Sequence, residues 1–412
     1  MVTMMDVPAG RRSSLLSGVV VLDLTRFLAG PFGTMVLADM GATVIKVEQL
    51  TGDTTRYQAP YYFQGGDSAY FLAINRNKQS ISLDIRSEGG RRVLERLIAK
   101  SDIMIDNLRA PQRQKLQLSW EHVEKINPRI ISCSLTGFGS DGPYADRPAY
   151  DIIVEALGGV MGLTGPEGGP SVRAGVPIGD ITAGLYAAIG VLGGLAYREN
   201  TGRGQHIDVS MLDAQVSLLS YLAQYYFIGG LVAQHQGRAH VSIPTYNTFA
   251  TKDGREIVVA ANTQEMWQSL CQVLGRTDLP EDPRFTDNPT RLAHREELLE
   301  ILRAEFAGWD VERLHDALVE QQVPAAPINT IDAALADPQV HHREMVVRTT
   351  HRDGEDFLTL GTTIKTDDPS GQEFSSPPAL GGESRQILDG LGFTGPEIDE
   401  LVAAGAIKLA AQ

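Results

Sequence analysis

Three observations predict an α/β protein built on a mostly parallel sheet. Short β-branched and apolar runs alternate with helical patterns, the alternation recurs several times before residue 135, and the residues joining them carry turn chemistry. Residues 19–24 read as a buried strand. They pass through Ala29, Gly30 and Pro31 into a helical pattern over 32–40 that Gly41 stops, and 42–47 form the next strand. The unit repeats with a strand at 80–83, a helix at 89–99 and a strand at 103–105. A helix at 120–126 and a strand at 130–134 follow. Alternation of this kind places helices on both faces of a Rossmann-like sheet.

Further on, residues 180–197 are so rich in small and apolar side chains that a helix buried all round is expected. The stretch 201–205 (TGRGQ) turns into a strand at 207–210 and a long helix at 213–227. After Gly229 and Gly230 the texture changes. Residues 246–250 and 256–260, joined through Gly254, read as a β-hairpin, and amphipathic, charge-rich helices run on to about Gln322, marking a smaller α+β domain. Beyond Pro338 come further strands, a loop at 376–378 and helices near 383–391 and 396–404. The expected organisation is an N-terminal part of the large domain at 1–212, a linker helix at 213–235, the small domain at 236–330, and a return into the large domain at 331–412.

Composition narrows the function classes. A chain of 412 residues is long for one core. A net charge of −15 excludes general nucleic-acid binding, which needs a positive field. A single anionic small molecule remains compatible, because a few arginines and helix N-termini hold phosphates locally. Two cysteines, Cys133 and Cys271, cannot build a disulfide framework and read as buried thiols. The histidines are scattered without metal-ligand spacing, so no metal is expected. No unbroken apolar run reaches the roughly 18 residues of a membrane span, and the first twenty residues lack a secretory pattern. A cytoplasmic protein without a membrane partner is the expectation.

Several short stretches, taken together, resemble the class III CoA-transferases, the family of formyl-CoA and carnitine CoA-transferases. They are 22–25 (LDLT), 29–31 (AGP), 41–48 (GATVIKVE), 52–53 (GD), 75–78 (NRNK), Asn107, 179–180 (GD) and 201–205 (TGRGQ). The resemblance runs from Gly18 to Ile407. The wording at 150–151 (YD), 164–166 (TGP), 172–175 (VRAG) and 242–243 (SI) is most similar to members acting on dicarboxylates, such as succinate–glutarate CoA-transferase.

The resemblance implies a large α/β domain made from both chain ends, an inserted small domain, and an interlocked homodimer. It implies coenzyme A and acyl-CoA as substrates, with no permanently bound cofactor, and a short carboxylic acid as acceptor. Succinyl-CoA is the implied donor. Asp180 matches the family's nucleophile. Taken alone, an aspartate after Gly179 and before an apolar helix is an N-cap that needs no catalysis. That placement also predicts an ionised carboxylate and backbone N–H groups free to meet an oxyanion, with Gly179 and Gly184 leaving room for a thioester. By position, CoA binding falls to Phe27, Leu28, Leu83, Asp84, Ile85, Arg86, Asn107, Leu108, Arg109, Lys115, Leu116, Tyr150 and Asp151. Arg173, His240 and Ser242 are candidates for the second substrate. The sequence departs from formyl-CoA transferase at Gln49, Lys115 and Pro148. Racemases of the same family carry histidine where this chain has Tyr150, and tyrosine, with a reference pKa of about 10, is a poor base. Racemisation and a non-catalytic acyl-CoA-binding scaffold are the alternatives.

Overall fold

A computed structural model describes residues 7–64, 66–235, 237–240, 242–368 and 370–410. The chain forms two compact units. The larger comprises Met1–Val160, Arg173–Ala223 and Leu335–Gln412, and the smaller Met161–Val172 and Gln224–Ala334.

Six parallel strands form the core of the larger unit: β1 (Val20–Asp23), β2 (Thr43–Glu48), β3 (Lys78–Leu83), β4 (Ile103–Asp106), β5 (Ile131–Thr136) and β6 (Gln205–Ser210). Their spatial order is 3-2-1-4-5-6, the doubly wound order, with Ile407–Lys408 added antiparallel beside β3. The sheet is therefore mixed, because the chain's last strand returns to an edge the periodicity left open. Both faces of the central strands are covered, which is why they read as apolar runs rather than alternating ones. Strand order reverses between β1 and β4. The loops leaving these two strands diverge, and a crevice opens at their carboxyl ends.

Helix α1 (Ala29–Asp39) starts earlier than the expected 32–40, since Pro31 is at home in a first turn. The expected helix at 213–227 is two helices, Met211–Leu218 and Ser220–Gly229. Ser220 has φ +45°, a left-handed conformation that interrupts the helical ladder. The helix expected at 180–197 spans Ile178–Thr201 and is not buried all round. Ala183, Ala187, Ala188 and Val191 face the core, while Leu185, Tyr186, Ile189 and Tyr197 are exposed. By length and composition alone it would suffice to cross a membrane. It packs along α1 with the backbones nearly touching. A Cβ on Gly184 would stand 2.4 Å from the Ala29 carbonyl oxygen, and one on Gly33 2.5 Å from that of Gly184. Gly184 thus serves helix packing rather than making room for a thioester.

Beneath the crevice lies a net of buried ions. Asp23 on β1 accepts from Lys78 Nζ at 3.1 Å and from the hydroxyls of Thr25 and Thr34. Lys78 also donates to Pro31 O and Asn75 Oδ1, so its three hydrogens are all used. Lys46 on β2 pairs with Asp53 at 2.9 Å and donates to Thr25 O. Arg56 forks onto Glu48, and Arg76 onto Asp39. Burial raises the Asp23 carboxyl, but Lys78, Lys46 and the two hydroxyls overcome it and hold the group at about 2. The stretches 22–25, 41–48, 52–53 and 75–78 therefore meet as one structural net that fixes the loop after β1.

The smaller unit has a three-stranded antiparallel sheet. Tyr246–Ala250 and Glu256–Ala260 form the expected hairpin, and Ala325–Pro327 adds to its second strand. Trp267, Phe285, Leu302 and Phe306 fill its core, with Phe249 stacked on Phe306 at 4.2 Å between ring centroids. Cys271 is buried here and Cys133 in the main sheet. Burial raises both thiols, as inert cysteines require.

Candidate active site

The crevice at the carboxyl ends of β1 and β4 holds two adjoining clefts of about 930 and 490 Å³. Arg26 and Gln112 line both. The loops that frame them are tied across the strand-order reversal: Asn107 Oδ1 accepts from Arg26 N at 3.1 Å, and Asn107 Nδ2 donates to Arg26 O at 2.7 Å.

Most residues named from the sequence collect here. Phe27, Asn107, Arg109, Tyr150 and Asp180 line the larger cleft, with Pro148 beside them. Leu83, Asp84, Ile85, Arg86, Leu108, Lys115 and Leu116 line the smaller, with Gln49. Phe27 has φ +65° and meets Tyr150 edge to face, 6.5 Å between centroids. A bulky residue held in the left-handed region signals a loop over-determined by its surroundings, here the ionic net at Thr25 and the Asn107 clasp. Leu28 is elsewhere. It is buried and lines a neighbouring apolar cavity of about 700 Å³ with Phe32, Met35 and Ile181, which shares Tyr61, Ala69 and Tyr70 with the larger cleft. Arg173 is exposed on the segment before the Asp180 helix and is not among the residues lining the cleft. His240 and Ser242 belong to the smaller unit, where the Ser242 backbone N–H donates to His240 Nδ1 at 3.2 Å.

Asp180 differs from its expected placement. It lies in the first turn of the helix, two residues inside it, and Pro177 occupies the N-cap without a side-chain bond. The capping carboxylate is Asp151, the first residue of the helix Asp151–Leu157. Its Oδ1 accepts from Gly179 N at 2.8 Å and Asp180 N at 3.2 Å. Two N–H groups expected to face an oxyanion are therefore already occupied. A Cβ on Gly179 would press on the same Asp151 oxygen at 2.9 Å, so that glycine makes room for the cap.

The Asp180 carboxylate itself has no hydrogen-bond or ion-pair partner among the described residues. Burial, and then the charge of Asp151, push it up to about 7. The expectation of an ionised carboxylate is thus corrected, because desolvation and then a neighbouring anion raise the group. Two contributors went unnoticed in the sequence. Tyr70, on the helix Ala69–Ile74, lines the cleft, and burial and then Asp180, Asp53 and Asp151 raise its phenol to about 12. It remains a hydrogen-bond donor at neutral pH. Ser68 is the N-cap of that helix and was the available signal for its start, though not for which face meets the cleft. Glu155, one turn after Asp151, is wholly buried.

A half-buried, unpaired carboxylate at the floor of a cleft, next to a second cleft rimmed by Arg86 and Lys115, suits attack on an activated acyl group whose remainder is anionic. Among the described residues no cluster of three or more histidine, cysteine, aspartate or glutamate side chains could hold a metal ion.

A family model described as CoA-transferase family III matches residues 16–384. The chain is 38% identical over 395 residues to the succinyl-CoA:glutarate CoA-transferase of Mus musculus, covering 95% of this chain and 90% of that one. It is 35% identical over 389 residues to the succinyl-CoA:mesaconate CoA-transferase of Haloarcula marismortui, covering 92% and 96%. A solved structure of a CAIB/BAIF family protein from Brucella suis matches with a TM-score of 0.83 and 36% identity, over 92% of this chain and 100% of that one.

Proposed function

The chain belongs to CoA-transferase family III and is a CoA-transferase, and from that premise we propose that it moves coenzyme A from succinyl-CoA to a short dicarboxylic acid through acylation of Asp180. The observation that carries the reading is the Asp180 carboxylate lining the cleft with no hydrogen-bond or ion-pair partner among the described residues, where burial and then Asp151 push it up to about 7. The relatives that act on glutarate and mesaconate support the choice of a dicarboxylate.

In this reading one Asp180 oxygen attacks the thioester carbonyl, the C–S bond breaks, and CoA leaves as thiolate. The thiolate then attacks the aspartyl carbonyl of the mixed anhydride and releases the donor acid as carboxylate. The acceptor carboxylate attacks the resulting aspartyl-CoA thioester, expelling thiolate again. Attack of that thiolate on the acceptor's carbonyl gives the new acyl-CoA and restores Asp180. Ionised Asp180 is required for the first attack, and a group poised near 7 is ionised in a useful fraction while remaining basic enough to be nucleophilic. Arg86, Arg109 and Lys115, which line the clefts, are assigned to the CoA phosphates in this reading.

The two compact units are assigned as a large domain from both chain ends and a small inserted one. The exposed apolar faces at Leu185, Tyr186 and Ile189, and at Tyr226, Phe227 and Ile228, support burial between two copies of the chain. Incubation with succinyl-CoA and no acceptor, followed by hydroxylamine, tests the chemistry. A hydroxamate on Asp180 by mass spectrometry is expected, and an adduct on another residue would overturn the mechanism.

A further inference from the structure

Glu155 is a buried acid that the reaction above does not use. It stands one turn after Asp151 on the same face of the helix Asp151–Leu157 and is 0% exposed. Its Oε2 accepts from Ala174 N at 2.8 Å, while its Oε1, equally shut off from solvent, has no donor among the described residues. The charged groups facing it are Asp151 on its own helix and the exposed Arg173 on the segment before the Asp180 helix. Beyond them, the helix Met211–Leu218 brings Gln215 to within 3.5 Å of where a Cβ on Gly179 would stand, a wholly buried neutral side chain whose amide is also unpartnered.

Asp151 and Glu155 stand one turn apart on one helix face, the spacing at which two side chains can touch, and Glu155 Oε1 has no other partner among the described residues. Ionised carboxylates only accept, so such a contact requires a proton between them. Asp151 Oδ1 already accepts two backbone N–H bonds. Glu155 accepts one, from Ala174, and burial, with the neighbouring Asp151 as a further cause, displaces its carboxyl upward. The proton therefore belongs to Glu155.

We propose that Glu155 is a positioning residue for the transfer reaction: a neutral carboxylic acid whose Oε1–H donates to Asp151 and fixes the carboxylate that caps the helix carrying Asp180. Asp151 then keeps its negative charge, holds the first turn of that helix in register, and sets the field in which Asp180 ionises. The inference rests on Asp180 being the acylated group, but its central claim, a protonated Glu155, can be read without turnover.

In the Asp180→Asn background, infrared spectra near neutral pH are expected to show the C=O band of a protonated carboxylic acid that disappears when Glu155→Gln is added. In the parent background Glu155→Gln, which keeps a neutral donor, should hold kcat within about threefold and leave the acid limb of the pH profile in place. Glu155→Leu, which removes the donor, should lower kcat by about tenfold or more, with the KM for succinyl-CoA nearly unchanged. Absence of the band overturns the proposal. So does a downward shift of the acid limb in Glu155→Gln, the signature of a removed negative charge, or full activity in Glu155→Leu. Should Glu155→Leu fail to fold, the band and the Glu155→Gln profile decide. Absence of an Asp180 hydroxamate would instead overturn the transfer mechanism and leave the band untouched.

Discussion

Asp23 and Asp180 belong to the same unit, the first wholly buried and the second half-buried in the cleft, yet they are driven in opposite directions. Burial raises each. Asp23 has two lysines and two hydroxyls around it and sits at about 2. Asp180 has no partner among the described residues and an anion nearby, and is pushed up to about 7. The ionic net under the crevice spends its charge on itself and is rigid, while the acid at the cleft floor is left uncompensated. Desolvation alone does not make a reactive carboxylate. The absence of a cation does.

The contrast is broken most severely at its reactive end. Asp180→Asn keeps the size of the side chain, leaves the Asp151 cap in place, and should preserve the circular dichroism spectrum. It removes the nucleophile, so kcat should fall by at least about 10³-fold in a spectrophotometric transfer assay. A variant retaining most of the activity would put Asp180 back among structural acids.

At the other end, Asp23→Asn leaves Lys78 and Lys46 buried without their shared counter-charge. Urea unfolding should show a loss of about 3–5 kcal/mol, the scale for breaking a buried ion pair from one side. A loss under about 1 kcal/mol would mean that the net is dispensable.

The two acids also predict opposite responses to pH. Asp23, lowered to about 2 in the folded state, contributes stability that is present above about pH 4 and lost as pH falls toward 2. Asp180, raised to about 7, makes the folded state bind the extra proton. Its ionisation therefore costs stability progressively as pH rises from about 4 to about 7. Relative to the parent, Asp180→Asn should gain thermal stability across that interval and hold the gain above it. Over the same interval the parent's kcat/KM should climb with an acid limb near pH 7, measured with substrates that do not titrate there.

The smallest effect is expected at the rim. Lys115→Met removes one solvent-facing cation from the smaller cleft and should raise the KM for acyl-CoA by about three- to tenfold, leaving kcat nearly intact. A change confined to kcat would remove Lys115 from the binding surface.

Much of the fold was legible because parallel strands covered on both faces leave apolar runs, and the helices between them leave a 3.6-residue period. The strands at 19–24, 42–47, 103–105 and 130–134 were found within a residue or two at each end. Several residues that line the clefts after β1 and β4, such as Phe27, Asn107 and Arg86, were named through the resemblance of their stretches to the family, whereas Tyr70 was not. Ser220 breaks a helix through a backbone conformation that a serine does not advertise. The exposed face of the helix Ile178–Thr201 shows no polar periodicity, so its sequence reads as buried.

What the sequence determined by itself was the order of strands and helices, the family, and Asp180 as the acid to examine. Only the tertiary structure decided what that acid is. It brought Asp151 from 29 residues away to take the N–H groups of Gly179 and Asp180, and it gathered Lys46 and Lys78 around Asp23. Local sequence sets backbone conformation through near neighbours. The protonation of a buried group is set by whichever charges the completed fold places within a few ångströms, and those lie far away along the chain.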